Sequence, residues 1–207
     1  MHKLACTSHL FAFVENVVFS FNSEGQIESL AFGLDQITIQ EVLTKRPWPE
    51  EAKVTLIEFL ENYKTAFALE RLDYIRTIFD DNAVIIVGKL AKKNESVFAE
   101  NQLPQYSNII SRTRLTKEQY LKNLEACFMS NEYVNIRFTN PDLIKAGDGG
   151  EIYGIQIKQD YYSTNYGDTG YLFLLVDLND ANTPIIKVRT WQPEPDPVFG
   201  LYGLGNF

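Results

Sequence analysis

Between Val134 and Gln192 the chain alternates strand-like runs with turn residues, and this stretch limits the fold more than any other. Val134 to Phe138, continuing to Lys145, comes first, followed by the turn Gly147-Asp148-Gly149-Gly150. Glu151 to Ser163, Tyr171 to Leu178 and Ile185 to Gln192 follow, with turns around Gly167–Gly170 and over Asn179–Pro184. Connections this short leave no room for a crossover helix, so the four runs predict an antiparallel meander. Counted by alternation, one face carries Ile155, Ile157, Leu172, Leu174, Val176, Ile186 and Val188. An aliphatic face of that size has to be covered by helices.

The helices lie upstream. Pro49-Glu50-Glu51 opens one, with acids in the first turn, and Leu56, Leu60, Tyr63 and Phe67 fall on one stripe. A second, from Arg71 to Phe79, sets Leu72, Ile75 and Phe79 on one side, and Asp80-Asp81-Asn82 reads as its stop. Ala83 to Val87 reads as a buried strand, 89–108 as a long loop and Ile109 to Leu115 as a short strand. Thr116-Lys117-Glu118-Gln119 is a capping box, followed by the helical stripe Tyr120, Leu124, Phe128.

At the N-terminus, Phe11 to Phe21 and Gln26 to Phe32 flank Asn22-Ser23-Glu24-Gly25, which predicts a β-hairpin with Gly25 in the left-handed region. Its pattern resembles that of the last hairpin, with Ile27–Phe32 matching Ile186–Trp191 and Asn22 matching Asn179. Residues 1–35 are accordingly read as a hairpin segment, either an isolated one or the remnant of a preceding repeat. Residues 36–49 are read as a linker, 50–193 as the main domain, and 194–207, rich in Pro, Gly and aromatics, as an irregular arm over the surface.

With 19 Lys+Arg against 27 Asp+Glu, a formal charge of -8, the chain lacks the basic face that nucleic acid or an anionic membrane requires. No apolar run reaches membrane-spanning length, and no signal peptide is read in this chain. Leu4-Ala5-Cys6 lacks the charged and apolar stretches of a lipoprotein signal, so the compartment stays open, an exported one included if the N-terminus is truncated. Cys6 and Cys127 are expected as free, buried thiols. Neither a metal site nor a cofactor motif is read: Asp80-Asp81-Asn82 lacks the ligand series of a calcium loop, and Gly147, Gly149 and Gly150 are turn glycines.

From residue 50 the order is helix, helix, strand, strand, helix and four strands. With Phe59-Leu-Glu-Asn-Tyr-Lys-Thr-Ala-Phe67 leading into Ile78-Phe79-Asp80-Asp81-Asn82-Ala83, it resembles the nuclear transport factor 2-like superfamily, in its polyketide cyclase-like branch. The resemblance covers about residues 50–193 and implies an α+β cystatin-like cone, a curved antiparallel sheet wrapped round helices over an apolar pocket. It also implies frequent dimerisation through the sheet. The superfamily holds enzymes, binders and scaffolds, so fold alone does not assign function.

Its enzymes commonly carry His, Asp or Tyr inside the cone. Here the two histidines, His2 and His9, lie outside the domain, which excludes His-centred acid–base chemistry within it. Tyr63, Phe67, Tyr120, Gln159, Tyr161 and Thr190 are the expected pocket residues, and Asp73 is a weak candidate for a general base. The opposite parity of the meander sets Arg137, Tyr162, Tyr171, Phe173, Arg189 and Trp191 outward, the aromatic and arginine mixture of an interface. Three occupants are open for it: a second copy of the chain, the N-terminal hairpin, or a different protein. The expected function is a non-enzymatic module that associates through this face and holds a small apolar ligand in the cone. The alternative is an isomerase, dehydratase or cyclase using Asp73 and a pocket tyrosine.

Overall fold

The computed structural model describes residues 2–7, 12–45, 48–91, 109–147, 150–164, 166–180 and 182–207; for 2–13, 90, 91 and 109 only the backbone is described. The N-terminal segment forms a three-stranded antiparallel sheet, β1 (His2–Thr7), β2 (Ala12–Phe21) and β3 (Ile27–Gly33). The expected hairpin is its second half, and Asn22 builds the turn: its Oδ1 accepts from the backbone N–H groups of Glu24 and Gln26 at 3.0 and 2.9 Å. Gly25 has φ +77°, the left-handed conformation the turn requires.

The stretch read as a linker carries a helix, α1 (Gln36–Thr44). Asp35 caps it by accepting from Thr38 N at 2.9 Å, a local signal that the flanking glycine and prolines obscure. Then come α2 (Glu50–Ala68), α3 (Leu72–Thr77), β4 (Phe79–Ala91), β5 (Ile109–Leu115) and α4 (Lys117–Met129). The Thr116–Gln119 capping box is formed as expected. The loop expected over 89–108 lies, beyond Ala91, outside the described residues, as do positions 148 and 149 of the first meander turn.

Strands β6 (Val134–Lys145), β7 (Ile152–Ser163), β8 (Gly167–Asp177) and β9 (Ile185–Gln192) pair antiparallel in sequence, the predicted meander. β9 then pairs parallel with β4, giving a six-stranded sheet of order β5-β4-β9-β8-β7-β6. The fold is α+β, a curved sheet around helices. Leu56, Leu60 and Tyr63 on α2 and Ile155, Ile157 and Leu174 on the sheet are fully buried against one another. Each such side chain adds about 1.5–3 kcal/mol over its exposed state. α1 shields the free edge of the sheet, Thr38 Oγ1 donating to the Phe138 carbonyl on β6 at 3.1 Å.

Asp80-Asp81-Asn82 is a bulge inside β4 rather than a helix stop. Phe79 pairs with Ile186 and Val84 with Val188, so four residues of β4 oppose one of β9. Asp80 closes this detour on itself, accepting from Asn82 N at 2.8 Å, and Lys187 Nζ lies 2.7 Å from its other carboxylate oxygen. On the other side of β9, Val176 pairs with Ile186 and Leu175 with Val188, leaving Lys187 without a partner residue in β8. Lys187 is thus a one-residue bulge, and beyond it every side chain of β9 changes face.

That reversal corrects the alternation count. Leu172 lies opposite Trp191 and Leu174 opposite Arg189, so Arg189 and Trp191 turn into the cone, while Thr190 and Gln192 turn outward. Around Phe173 and Gln156 the outward face is covered by the chain's own C-terminal arm. Phe207 stacks on Phe173 with ring centroids 6.0 Å apart, and Gln156 Nε2 donates to the Tyr202 carbonyl at 2.7 Å. Phe173 is therefore buried. The arm is also tied to β5, where Arg112 pairs with Asp196 and lies over the Phe199 ring.

Candidate functional site

The periods of helix and strand bring the cavity wall together. On α4, Tyr120, Asn123, Leu124 and Cys127 recur at spacings of three and four and so share one face. On β7, Gln159, Tyr161 and Ser163 are alternate residues, as are Arg189 and Trp191 on β9 after the bulge. With Phe67 from α2 and Val87 from β4 they enclose a cavity of about 510 Å³ at the open end of the cone. Gly170 on β8 makes room for the indole: a Cβ there would meet the Gln192 carbonyl oxygen at 2.5 Å and Trp191 Cζ2 at 2.7 Å.

Of the expected pocket residues, Phe67, Tyr120, Gln159 and Tyr161 line this cavity. Tyr63 lies behind the wall, fully buried, and Thr190 faces the arm on the other side of the sheet. Asp73 is exposed on α3, outside the cavity. Of the residues expected on the outer face, Arg137 is exposed and Tyr162 and Tyr171 are half-buried; Phe173 lies under the arm, and Arg189 and Trp191 are in the cavity. Alternation counting missed these last two because it carried parity straight through Lys187.

Arg189 dominates the electrostatics. It is 7% exposed, its Nε donates to Tyr63 Oη at 3.2 Å, and its guanidinium carbon sits 4.9 Å from the centroid of the Tyr120 ring. Among the described residues no carboxylate pairs with it. Burial holds the Tyr120 hydroxyl well above the usual phenol range, so it stays neutral beside the cation. In the cavity wall two buried polar atoms, Gln159 Oε1 and Trp191 Nε1, have no hydrogen-bond partner among the described residues. Tyr161 Oη lies 3.1 Å from Cys127 Sγ, and burial, with this contact second, raises its pKa as well. Cys127 is a free, half-buried thiol; the Cys6 side chain is outside the described residues.

One carboxylate lines the cavity among the described residues, Asp168, where β8 begins. Tyr166 Oη donates to it at 2.6 Å, and burial raises its pKa despite this bond. Lys89 sits exposed at the rim. Chemically the site offers a dry guanidinium, several aromatic faces, an uncommitted amide and indole N–H, and a half-buried carboxyl near the mouth. Among the described residues no group of three His, Cys, Asp or Glu is placed to hold a metal ion, and no helix is long and apolar enough to cross a membrane.

No protein-family model and no curated protein matches the chain by sequence. By structure it is similar to Bd1075 of Bdellovibrio bacteriovorus, with a TM-score of 0.50 and 14% identity over 70% of this chain and 41% of that one. It is also similar to the helical cell shape determining protein Pgp2 of Campylobacter jejuni (K307A mutant), with a TM-score of 0.50 and 16% identity over 70% of this chain and 42% of that one. It thus spans about two-fifths of the length of either. A nuclear transport factor 2-like protein of unknown function from Pseudomonas putida KT2440 is matched over nearly its whole length, with a TM-score of 0.50 and 11% identity over 75% of this chain and 97% of that one. At these identities the likeness establishes the fold, a nuclear transport factor 2-like cone.

Proposed function

We propose that the chain is a ligand-binding module whose cone takes a small, largely apolar molecule. The observation that carries this reading is the cavity of about 510 Å³, walled by Phe67, Leu124, Tyr161 and Trp191 and holding polar groups the fold leaves uncommitted. A concave, mostly apolar site with a few convergent polar groups is the usual form of a small-molecule site. The outer sheet face supports a partner-binding role less well, because the arm occupies Phe173 and the bulge withdraws Arg189 and Trp191.

The test uses N-phenyl-1-naphthylamine, a neutral apolar fluorophore, with the wild type and with Cys127→Phe, which adds bulk from α4 into the cavity. Saturable binding at one site, weakened at least tenfold in a folded Cys127→Phe, is expected. Equal affinity in both proteins, or no saturable binding, overturns the reading.

A second reading, an isomerase, dehydratase or cyclase on a small apolar molecule, is favoured by one observation: Asp168 combines a cavity position with a raised pKa, as a proton-transfer group would. Asp73 does not support it, being exposed.

A further inference from the structure

We infer that the ligand carries a single carboxylate, that Arg189 binds this group at the buried end of the cavity, and that a flat aromatic or apolar body fills the rest. This rests on the ligand-binding reading and names the chemistry of the ligand. A guanidinium is charged at every relevant pH and presents five N–H donors in a plane. Tyr63 takes the Nε–H, and the other four have no acceptor among the described residues. Burying a cation without a counter-charge costs several kcal/mol, which folds otherwise avoid by pairing it. Asp168 does not serve, since it is bonded to Tyr166 and forms no ion pair with Arg189. The missing partner is therefore an acceptor-only, planar group that enters with the ligand, and a carboxylate meets two parallel N–H donors of a guanidinium.

The neighbouring groups complete the description. Trp191 Nε1, a donor without an acceptor, stands two residues along β9 from Arg189 on the same face. The Gln159 amide can accept from or donate to a hydroxyl or amide further up the ligand. Tyr120, Tyr161, Phe67 and Trp191 present ring surface to its body. One buried cation matches one negative charge. A phosphate dianion would leave a second charge in an apolar enclosure, with only the exposed Lys89 at the rim to meet it.

The experiment compares 2-naphthoate, its neutral analogue 2-naphthamide and 2-naphthyl phosphate by titration calorimetry on the wild type, Arg189→Met and Arg189→Lys, with thermal unfolding of each. The wild type is expected to bind naphthoate at least tenfold more tightly than naphthamide and more tightly than the phosphate. Arg189→Met is expected to fold, to bind naphthoate and naphthamide alike, and to lose the naphthoate-induced rise in Tm; Arg189→Lys keeps part of the preference. Equal binding of naphthoate and naphthamide to the wild type overturns the carboxylate inference and leaves the ligand-binding reading standing. A preference that survives in Arg189→Met overturns the role of Arg189, and tighter binding of naphthyl phosphate overturns the single charge. Binding of none of the three overturns both readings together.

Discussion

Of the three cations buried among the described residues, Lys53, Lys64 and Arg189, the last two are treated in opposite ways. Lys64, on α2 beneath the N-terminal sheet, has Glu15 Oε2 at 2.5 Å and the Gly33 carbonyl at 3.1 Å, while Asn135 Nδ2 donates to the other oxygen of Glu15 at 2.7 Å. One charge pair thereby joins β2, α2 and β6, and its hydrogen bonds stay within the fold. Arg189, in the cone, has a phenol oxygen and a ring face. The glutamines repeat the contrast. Gln192, under the arm, donates to the carbonyls of Glu194 and Gly200 and accepts from Tyr202 N, whereas Gln159 Oε1, in the cavity, has no partner among the described residues. In these two pairs the member that packs against the protein itself is satisfied and the member in the cone is not, although Thr190 Oγ1 under the arm and Glu41 Oε2 on α1 also lack a partner among the described residues. That difference is the mark of a site left for another molecule.

The largest expected effect comes from breaking the satisfied pair. Glu15→Ala leaves Lys64 buried without a counter-charge and is expected to cost about 3–5 kcal/mol in urea denaturation. Arg189→Met, which removes a cation already lacking one, is expected to be neutral or to stabilise the ligand-free protein by about 1–4 kcal/mol. If Arg189→Met destabilised as much as Glu15→Ala, the two cations would be equivalent and the contrast would fail.

Next is the wall that holds the indole. Gly170→Ala drives a methyl group to within 3 Å of the Gln192 carbonyl and the Trp191 ring, so strand or ring has to shift. Overpacking of this kind is expected to cost about 1–3 kcal/mol and to change the tryptophan emission, for which Trp48 and Trp191 are the two sources. An unchanged spectrum and Tm would mean that the indole does not depend on this glycine for its place.

The glutamines give a smaller, paired test. Gln192→Ala strips partners from Tyr202 N and two arm carbonyls and is expected to cost about 1–3 kcal/mol, with the arm more open to proteolysis near Pro195. Gln159→Ala removes an amide whose oxygen has no partner among the described residues and is expected to fall within about 0.5 kcal/mol of wild type. Equal losses from the two would show that Gln159 is bonded after all.

The meander, the capping box and the Gly25 turn were legible because each depends on residues close in sequence. Three turns separate the four runs, Thr116 and Gln119 cap each other, and a positive φ calls for glycine. The inner face of β7 and of β8 up to Val176 could be read by alternation alone. The site could not, because its orientation is decided by a pairing event. Whether Lys187 has a partner in β8 depends on how two strands far apart in sequence align, and on the detour that Asp80 stabilises in β4. A count of alternate residues cannot register an unpaired one, so Arg189 and Trp191 came out on the wrong face. The same limit applies outside: aromatic residues on a sheet face signal that something covers them, and sequence does not say whether it is a partner or, as for Phe173, the chain's own Phe207. Helix α1 is the one element whose local signal, Asp35 three residues before Thr38, was present and outweighed by its flanks.

The smallest effect concerns the one carboxyl at the cavity mouth. Burial raises the pKa of Asp168 above its ordinary 3.8, and the hydroxyl of Tyr166 offsets part of that rise. A carboxyl with a higher pKa in the folded than in the unfolded chain binds more protons when folded, so its contribution to stability is full below 3.8 and declines as pH rises through the raised value. Asp168→Asn keeps an acceptor for Tyr166 and removes the titration. The stability of the variant relative to wild type is therefore expected to grow with pH across that window and to level off above it, in urea denaturation at stepped pH. Glu61, also raised by burial, titrates in both proteins and cancels in the difference. A difference that shrank with rising pH would mean that Asp168 is held as a carboxylate by a cation. The natural candidate would be Arg189, and the guanidinium would then have its partner within the chain.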